Sequence, residues 1–330
     1  MIDLSIIVPV YNVEEYVRPC LESIFKQGLD DSRFEVIIVD DGSTDRSMEM
    51  IADIIQTHSN ITVINQENLS LSVARNNGIA MAKGEYILMP DSDDLLIENS
   101  LKPLLQKTVE TKADLVVADF LSMTSEELAC HEEITQGLLT FKEKTGEQLF
   151  LEDLNPHNCY VWRTLYRKAF LEEHHIKFIP GIRYQDVPFT HECYLKATKC
   201  IKAKWLLNIY RARRPGSNTT AFSLENTRSL SIAIGATWNL RTMEGISKQK
   251  LYKLEDDVFA SFSTLVYRTV YYVKSYSERN MIMDFLKSQA PDLKFSHGIR
   301  QILTSFMISH MPHLFINGYY IYAQIAFKDE

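Results

Sequence analysis

The sequence predicts an α/β protein, a mostly parallel sheet wrapped by helices, followed by an all-helical C-terminal region. Three observations predict it. Short apolar runs rich in β-branched residues alternate with helix-period segments from residue 4 to about 120, the pattern of βαβ units. Polar and acidic clusters directly follow several of those runs, where an open α/β sheet binds its ligands. From Glu225 onward only helical periodicity remains.

Taken in order, residues 4 to 10 form a continuous apolar run, the mark of a strand buried on both faces. Glu14 to Phe25 has helical spacing of Tyr16, Val17, Leu21, Ile24 and Phe25. Phe34 to Val39 reads as a second strand, and Ser43, Thr44 and Asp45 offer N-caps for a helix through about Thr57. Ile61 to Asn65 is a third strand and Ser70 to Lys83 a third helix, with Gly84 as its C-cap. Tyr86 to Met89, a helix near Ile97 to Thr111 and a strand at Leu115 to Ala118 complete the alternation.

Thr124 to Leu154 is polar and irregular, and reads as loop plus edge strands. Tyr160 to Lys168 begins an amphipathic stretch. A helix is expected over about Pro188 to Thr198 with Asp186 near its N-terminus, where a proline suits the first turn. A strand at Ala203 to Tyr210 follows, then Arg211-Ala212-Arg213-Arg214-Pro215-Gly216-Ser217. Helices are expected at Glu225–Met243, Leu251–Tyr276, Glu278–Gln289 and as a pair after Gly298. The expected organisation is a domain over 1–220, with halves 1–120 and 121–220, and a helical region over 221–330.

The 330 residues suffice for two domains or one with a large appendage. A net charge of −8 argues against a nucleic-acid-binding surface. Five cysteines, an odd number without zinc-site spacing, fit a reducing cytosol. Ser5 to Pro9 follows the start without a basic flank, so no signal peptide is expected. A nicotinamide dehydrogenase and a P-loop enzyme are excluded, because neither Gly-rich loop follows the first strand.

The chemistry concentrates in Gly84-Glu85-Tyr86-Ile87-Leu88-Met89-Pro90-Asp91-Ser92-Asp93-Asp94. Three carboxylates within four residues repel unless a cation or hydrogen-bond donors share the site. A hard divalent cation takes oxygen ligands and bridges one or two carboxylates to a substrate diphosphate. The alternative is an acidic turn that caps a helix from Leu95 onward. Likewise, Asp40-Asp41-Gly42-Ser43 could be a tight turn and N-cap, Arg75 a helix-face ion pair, and Arg211 to Arg214 a solvated patch. Asp186 has the same double reading, as a base or as a helix-cap carboxylate. His174-His175 is read as structural, with no metal assigned to it.

With these residues in view, the chain resembles the family-2 glycosyltransferases of GT-A fold, with a Rossmann-like sheet, that assemble bacterial capsule, exopolysaccharide and O-antigen. The carrying motifs are Ser5-Ile6-Ile7-Val8-Pro9-Val10-Tyr11-Asn12, Val39-Asp40-Asp41-Gly42-Ser43-Thr44-Asp45, Ala74-Arg75-Asn76-Asn77-Gly78 and Gly84-Glu85-Tyr86…Asp91-Ser92-Asp93-Asp94. The match is strong over residues 4 to 120, weaker over 159 to 217 and uninformative beyond about 225.

The resemblance implies an inverting, single-sugar transferase that uses Mn²⁺ or Mg²⁺, a nucleotide-diphospho-sugar donor with UDP as the nucleotide, and a saccharide or lipid-linked acceptor. Pro9 and Tyr11 would line the base pocket, Asp41 would accept the uracil N3–H, and Asp40 would shape that pocket. Asp93 would hold the metal, Asp91 the metal or the donor ribose, and Asp94 would lie beside the donor sugar. Many relatives take their base from a Glu-Asp pair. Here the pair is Gln185-Asp186, so Asp186 is the candidate base. Arg75, Arg211, Arg213 and Arg214 are candidate partners for the diphosphate, since a guanidinium grips phosphate bidentately. The Gln-x-x-Arg-Trp motif of processive synthases is missing, which favours transfer of one sugar.

Two rivals stand beside this reading. A sugar-nucleotide pyrophosphorylase would need a basic, Gly-rich loop after the first strand, and Pro9-Val10-Tyr11-Asn12 is not one. A non-catalytic sugar-nucleotide-binding or scaffold protein has its foothold in Gln185.

Gln301 to Phe327 holds no Lys, Arg, Asp or Glu and many aromatics, interrupted by Pro312 and Gly318. No membrane span is expected there. Packing onto the rest of the protein or in a homodimer is the first expectation, and peripheral contact with the inner face of the plasma membrane the second.

Overall fold

A computed structural model describes residues 2–130, 134–214 and 223–326. It divides into two compact units. The first comprises Met1–Leu149, Tyr160–Gly181 and Cys193–Thr220; the second Phe150–Cys159, Ile182–Glu192 and Ala221–Glu330. The boundary expected near Thr220, Pro215-Gly216-Ser217 and Phe327 lie outside the described residues.

The first unit is built on one nine-stranded sheet of order β3-β2-β1-β4-β8-β6-β9-β5, with β7 also paired to β9. Its strands are β1 (Leu4–Val10), β2 (Phe34–Asp40), β3 (Ile61–Asn65), β4 (Tyr86–Leu88), β5 (Leu95–Leu96), β6 (Leu115–Met123), β7 (Thr140–Lys144), β8 (Thr164–Arg167) and β9 (Cys200–Arg211). Between them run α1 (Val17–Phe25), α2 (Ser47–Met50), α3 (Ala52–Thr57), α4 (Leu71–Met81), α5 (Leu101–Thr111), α6 (Ser125–Cys130), α7 (Gly146–Gln148), α8 (Lys168–Glu173) and α9 (Asp186–Lys196). Helix α9 begins in the second unit and ends in the first.

Strands β1 to β4 pair in parallel, and so do β6 and β9. Antiparallel β8 is inserted between β4 and β6, and antiparallel β5 and β7 flank β9. The sheet is therefore mixed, with a parallel N-terminal half. Every residue of β1 is buried. Pro9 is tolerated because β4 pairs with β1 only from Leu4 to Ile6, which leaves β1 a single partner strand beyond that point.

Local tertiary demands moved several expected boundaries. Helix α1 starts at Val17, because the Val13 and Glu14 amides donate to Ser47 Oγ and Asp45 Oδ2 (2.8 and 3.0 Å). The helix expected through Thr57 is two short ones that meet at Ile51, and Asp45 bonds the Ser47 amide and hydroxyl from outside. Helix α5 starts at Leu101, since Leu95 and Leu96 pair with Ile209 and Asn208 of β9. Thr164 to Arg167, within the amphipathic stretch, forms β8.

Gly84 is not a helix C-cap. Helix α4 ends at Met81, and a Cβ on Gly84 would stand 2.4 Å from the Ser5 amide nitrogen, so glycine serves close approach to β1.

The second unit is helical, with α10 (Leu224–Asn239), α11 (Lys248–Tyr272), α12 (Tyr276–Gln289), α13 (Ile299–His310) and α14 (Pro312–Ala326). Its core gathers Trp238, Phe262, Phe295 and Phe315, with Phe295 edge-on to Phe259 at 5.0 Å. Ile299, Leu303, Phe306, Leu314 and Tyr322 are exposed on α13 and α14. Among the described residues no helix is long and apolar enough to cross a membrane.

Candidate active site

The parallel strands deliver three loops to one edge of the sheet. Val10 and Asp40 are paired in register, and so are Asp40 and Asn65, so the segments after β1, β2 and β3 leave side by side. Asn12, in the left-handed region at φ 51°, accepts from the Thr44 amide at 2.8 Å. Asp40 Oδ1 accepts from the Ser43 amide at 2.9 Å. Pro9 is buried, while the Tyr11 ring stays open to solvent at 44%.

Asp41 is 3% exposed and anchors the loop that leads into α4. Its Oδ1 accepts from Gln66 Nε2 (2.7 Å) and the Leu69 amide (2.8 Å), and its Oδ2 from the Ser70 amide (3.1 Å). Ser70 has φ 98°, a conformation that costs energy in a non-glycine residue and persists only where the surroundings hold it. Gln66 Oε1 also takes the Asn77 amide group at 2.7 Å.

Helix α4 carries the third motif, and each residue has a separate task. Ala74 is fully buried. Arg75, 2% exposed, reaches Asp91 Oδ1 at 2.5 Å with its guanidinium 5.4 Å from the Phe178 ring centroid. Asn76 exchanges two hydrogen bonds with the Phe178 backbone (2.8 and 3.0 Å) and fixes that ring. Gly78 lies against β1, where a Cβ would stand 2.3 Å from Ile7 Cγ2.

Asp91, Asp93 and Asp94 converge after β4, each with a carboxylate oxygen within 4.8 Å of the others. Oxygens opposed across a divalent ion at 2.0–2.6 Å are separated by about 4–5 Å, so the cluster fits such an ion. Burial raises the Asp91 carboxyl above its ordinary range, opposed by Arg75 and reinforced by Asp93. Asp94, 1% exposed, is raised further, by burial and then by the charges of Asp93 and Asp91. Its Oδ1 accepts from the Arg211 amide at 2.8 Å, and its Oδ2 is buried without a hydrogen-bond partner. A buried orphan oxygen of this kind suits a ligand supplied from outside the chain.

The end of β9 brings the opposite charge. Arg214 Nε donates to Asp93 Oδ2, and Arg211 Nε donates to the Asp93 carbonyl at 3.0 Å. Both guanidinium groups lie over Tyr16, at 5.1 and 5.3 Å from its centroid. Arg213 is exposed. The thiol of Cys20, buried beneath, donates to the Asp91 carbonyl at 3.6 Å, and burial pushes its pKa up.

The structure thus gathers Arg75, Asp91, Asp93, Asp94, Arg211 and Arg214 in one place, and Pro9, Tyr11, Asp40 and Asp41 on the neighbouring loops. Asp186 belongs to the second unit, in the first turn of α9. There Tyr184 accepts from Arg268 at 2.6 Å, and Gln185 is buried with Oε1 unpartnered. Sequence reasoning missed Tyr16, Gln66 and Phe178. None is part of a short motif, and each became visible only through its contacts.

The family profile of glycosyl transferase family 2 matches residues 5–174, more than half of the chain. The chain belongs to that family. It is 34% identical over 218 residues to the uncharacterized glycosyltransferase EpsJ of Bacillus subtilis, covering 66% of this chain and 62% of EpsJ. It is 30% identical over 239 residues to glycosyltransferase GlyG of Streptococcus pneumoniae, covering 69% and 76%. The chain thus spans less than two thirds of the length of EpsJ. Among solved structures, S. aureus TarS 1–349 in complex with UDP superposes with a TM-score of 0.72 at 20% identity, covering 98% of this chain and 92% of that one. That likeness establishes the GT-A fold for the family member described here.

Proposed function

We propose that the chain is an inverting, metal-dependent glycosyltransferase that moves one sugar from a UDP-sugar to a saccharide or lipid-linked acceptor in cell-surface polysaccharide synthesis. The observation that carries this reading is the carboxylate cluster of Asp91, Asp93 and Asp94 at the sheet edge, ringed by Arg75, Arg211 and Arg214. Family membership supports the reaction class, and the UDP complex of TarS, a fold neighbour, supports the nucleotide.

In this reading Asp93 and Asp91 hold a Mn²⁺ or Mg²⁺ ion, whose charge stabilises the departing diphosphate. Arg214 and Arg211 stand where a second positive contact to the phosphates is needed. Asp41 keeps the nucleotide loop in shape through Oδ1 and retains a lone pair on Oδ2 for the base N–H. Tyr11 and Pro9 line the base pocket, with Asp40 bracing the adjoining turn. Asp186 takes the acceptor proton, a role that contributes about 10²–10⁴-fold. The exposed apolar residues of α13 and α14 serve a homodimer contact or, second, peripheral membrane contact; sedimentation of the protein alone tests the first and cosedimentation with liposomes the second.

Isothermal titration with UDP, GDP and dTDP, each with Mn²⁺ and with chelator, tests the donor site. Metal-dependent binding of UDP, lost in Asp93→Ala, is the expected outcome. Absence of nucleotide binding under every condition refutes the proposal.

A further inference from the structure

On the face of β9 opposite Arg211, three aromatic rings gather around Tyr210. The rings of Tyr160 and Trp162 are 4.8 Å apart with planes 17° from parallel, and Trp162 and Tyr210 are 5.8 Å apart at 9°. Tyr160 and Tyr210 are also 5.8 Å apart, at 25°. Phe120 braces the group edge-on, 5.4 Å from Tyr160 and 4.9 Å from Trp162. Trp162 is buried, whereas Tyr160 and Tyr210 are only half-buried.

A core cluster would bury all three parallel rings among aliphatic side chains. This one keeps two of them partly open, at the end of β9 that delivers the Arg211 amide to Asp94. Tyr210 immediately precedes Arg211, whose amide holds Asp94. Burial raises the Tyr210 hydroxyl pKa, and Tyr160 and the charges of Asp94, Asp93 and Asp91 raise it further. The alternation of β9 places Asn208 on the Tyr210 face, fully buried with neither amide atom hydrogen-bonded, and Asp94 Oδ2 is likewise orphaned. Buried polar groups left unmatched beside open aromatic rings call for a ligand with an apolar face and a hydroxylated rim.

We propose that Tyr160, Trp162 and Tyr210 form the platform on which a pyranose ring of the acceptor stacks. The axial C–H bonds on one face of a pyranose are weakly positive and suit the negative face of an aromatic ring. The ring's equatorial hydroxyls then point outward to polar neighbours. The inference rests on the glycosyltransferase reading and adds to it the element that holds the acceptor sugar.

Saturation-transfer NMR with methyl β-D-glucopyranoside, methyl β-D-galactopyranoside and methyl N-acetyl-β-D-glucosaminide, with UDP and Mg²⁺ present, tests it on the full chain. Transfer to the protons of one pyranose face is expected for at least one glycoside. It should fall at least fivefold in Tyr160→Ala and persist in Tyr160→Phe, with UDP affinity unchanged in both. Replacing Mg²⁺ by Mn²⁺ provides a test in the unmutated protein, where protons of the bound glycoside should broaden. UDP binding with no transfer to any glycoside, or with transfer unchanged in Tyr160→Ala, overturns the platform alone. Failure of the unmutated protein to bind UDP overturns the donor-site reading and the platform with it.

Discussion

Arg214 Nε donates to Asp93 Oδ2, and the ring of Tyr16 lies beneath that guanidinium with its centroid 5.3 Å away. The side chain that could later grip a diphosphate is therefore already engaged with the carboxylate proposed to hold the metal. In the proposed reading a cation at Asp93 would compete with Arg214, and a metal–diphosphate pair would relieve the competition by giving the arginine a new anion.

Arg214→Ala should accordingly bind Mn²⁺ alone more tightly and Mn²⁺·UDP more weakly. Loss of a competing charge-assisted hydrogen bond of ~1.5 kcal/mol corresponds to about a tenfold gain for the bare ion. Titration calorimetry with Mn²⁺, then with UDP at saturating Mn²⁺, reads both effects. Equal changes of the same sign in the two titrations would refute the competition.

Asp186→Asn should lower turnover by about 10²–10⁴-fold while leaving UDP affinity unchanged. Radiolabelled donor with membrane or glycan extract as acceptor measures the first, and calorimetry the second. A variant with full turnover removes Asp186 from the reaction and returns it to the helix-cap role.

Asp94→Asn should stabilise the protein and abolish transfer. The Asp94 pKa is raised in the folded state, by burial and then by its acidic neighbours. Such a carboxylate favours folding only in its protonated form, so its contribution is complete below the unfolded value near 3.9 and is lost as pH rises through the folded value. Thermal melts from pH 4 to 8 should show the wild-type Tm falling relative to Asp94→Asn as pH rises. Each 1 kcal/mol corresponds to about 1.5 °C for 330 residues unfolding together. A constant difference across that range contradicts the shift.

Gly78→Ala should destabilise by about 1–3 kcal/mol, because its Cβ would stand 2.3 Å from Ile7 Cγ2 in a packed core. Ile7→Ala removes the clashing methyl at its own cavity cost, so the double variant should be more stable than the sum of the two single losses predicts. Urea melts of the four proteins close the cycle. Additive losses would show that α4 shifts instead of clashing.

Much of the fold was legible because its signals are local. The β-branched run of β1, the alternation through residue 120 and the helical periods after Glu225 require only neighbours in sequence. The same holds for Asp91 to Asp94, where three carboxylates fall within four residues. Illegible features depend on distant partners. Strand β8 is four residues long, and its place between β4 and β6 is set by pairing that its own sequence does not announce. The motif from Ala74 to Gly78 could be matched, but the work of Asn77 appears only once Gln66 is seen to relay it to Asp41. Arg214 gave no sign of which carboxylate it would meet, since 121 positions separate it from Asp93.

That separation bears on engineering. The first 120 residues hold the acidic turn and the nucleotide-loop motifs, which makes them an inviting cassette to transplant between transferases. Yet the amide that satisfies Asp94 and the guanidinium that neutralises Asp93 both come from the end of β9. A chimera spliced after residue 120 would keep the Arg75–Asp91 pair but lose the partners of Asp93 and Asp94. The unit of exchange has to run through Arg214, so that the far strand travels with the near one.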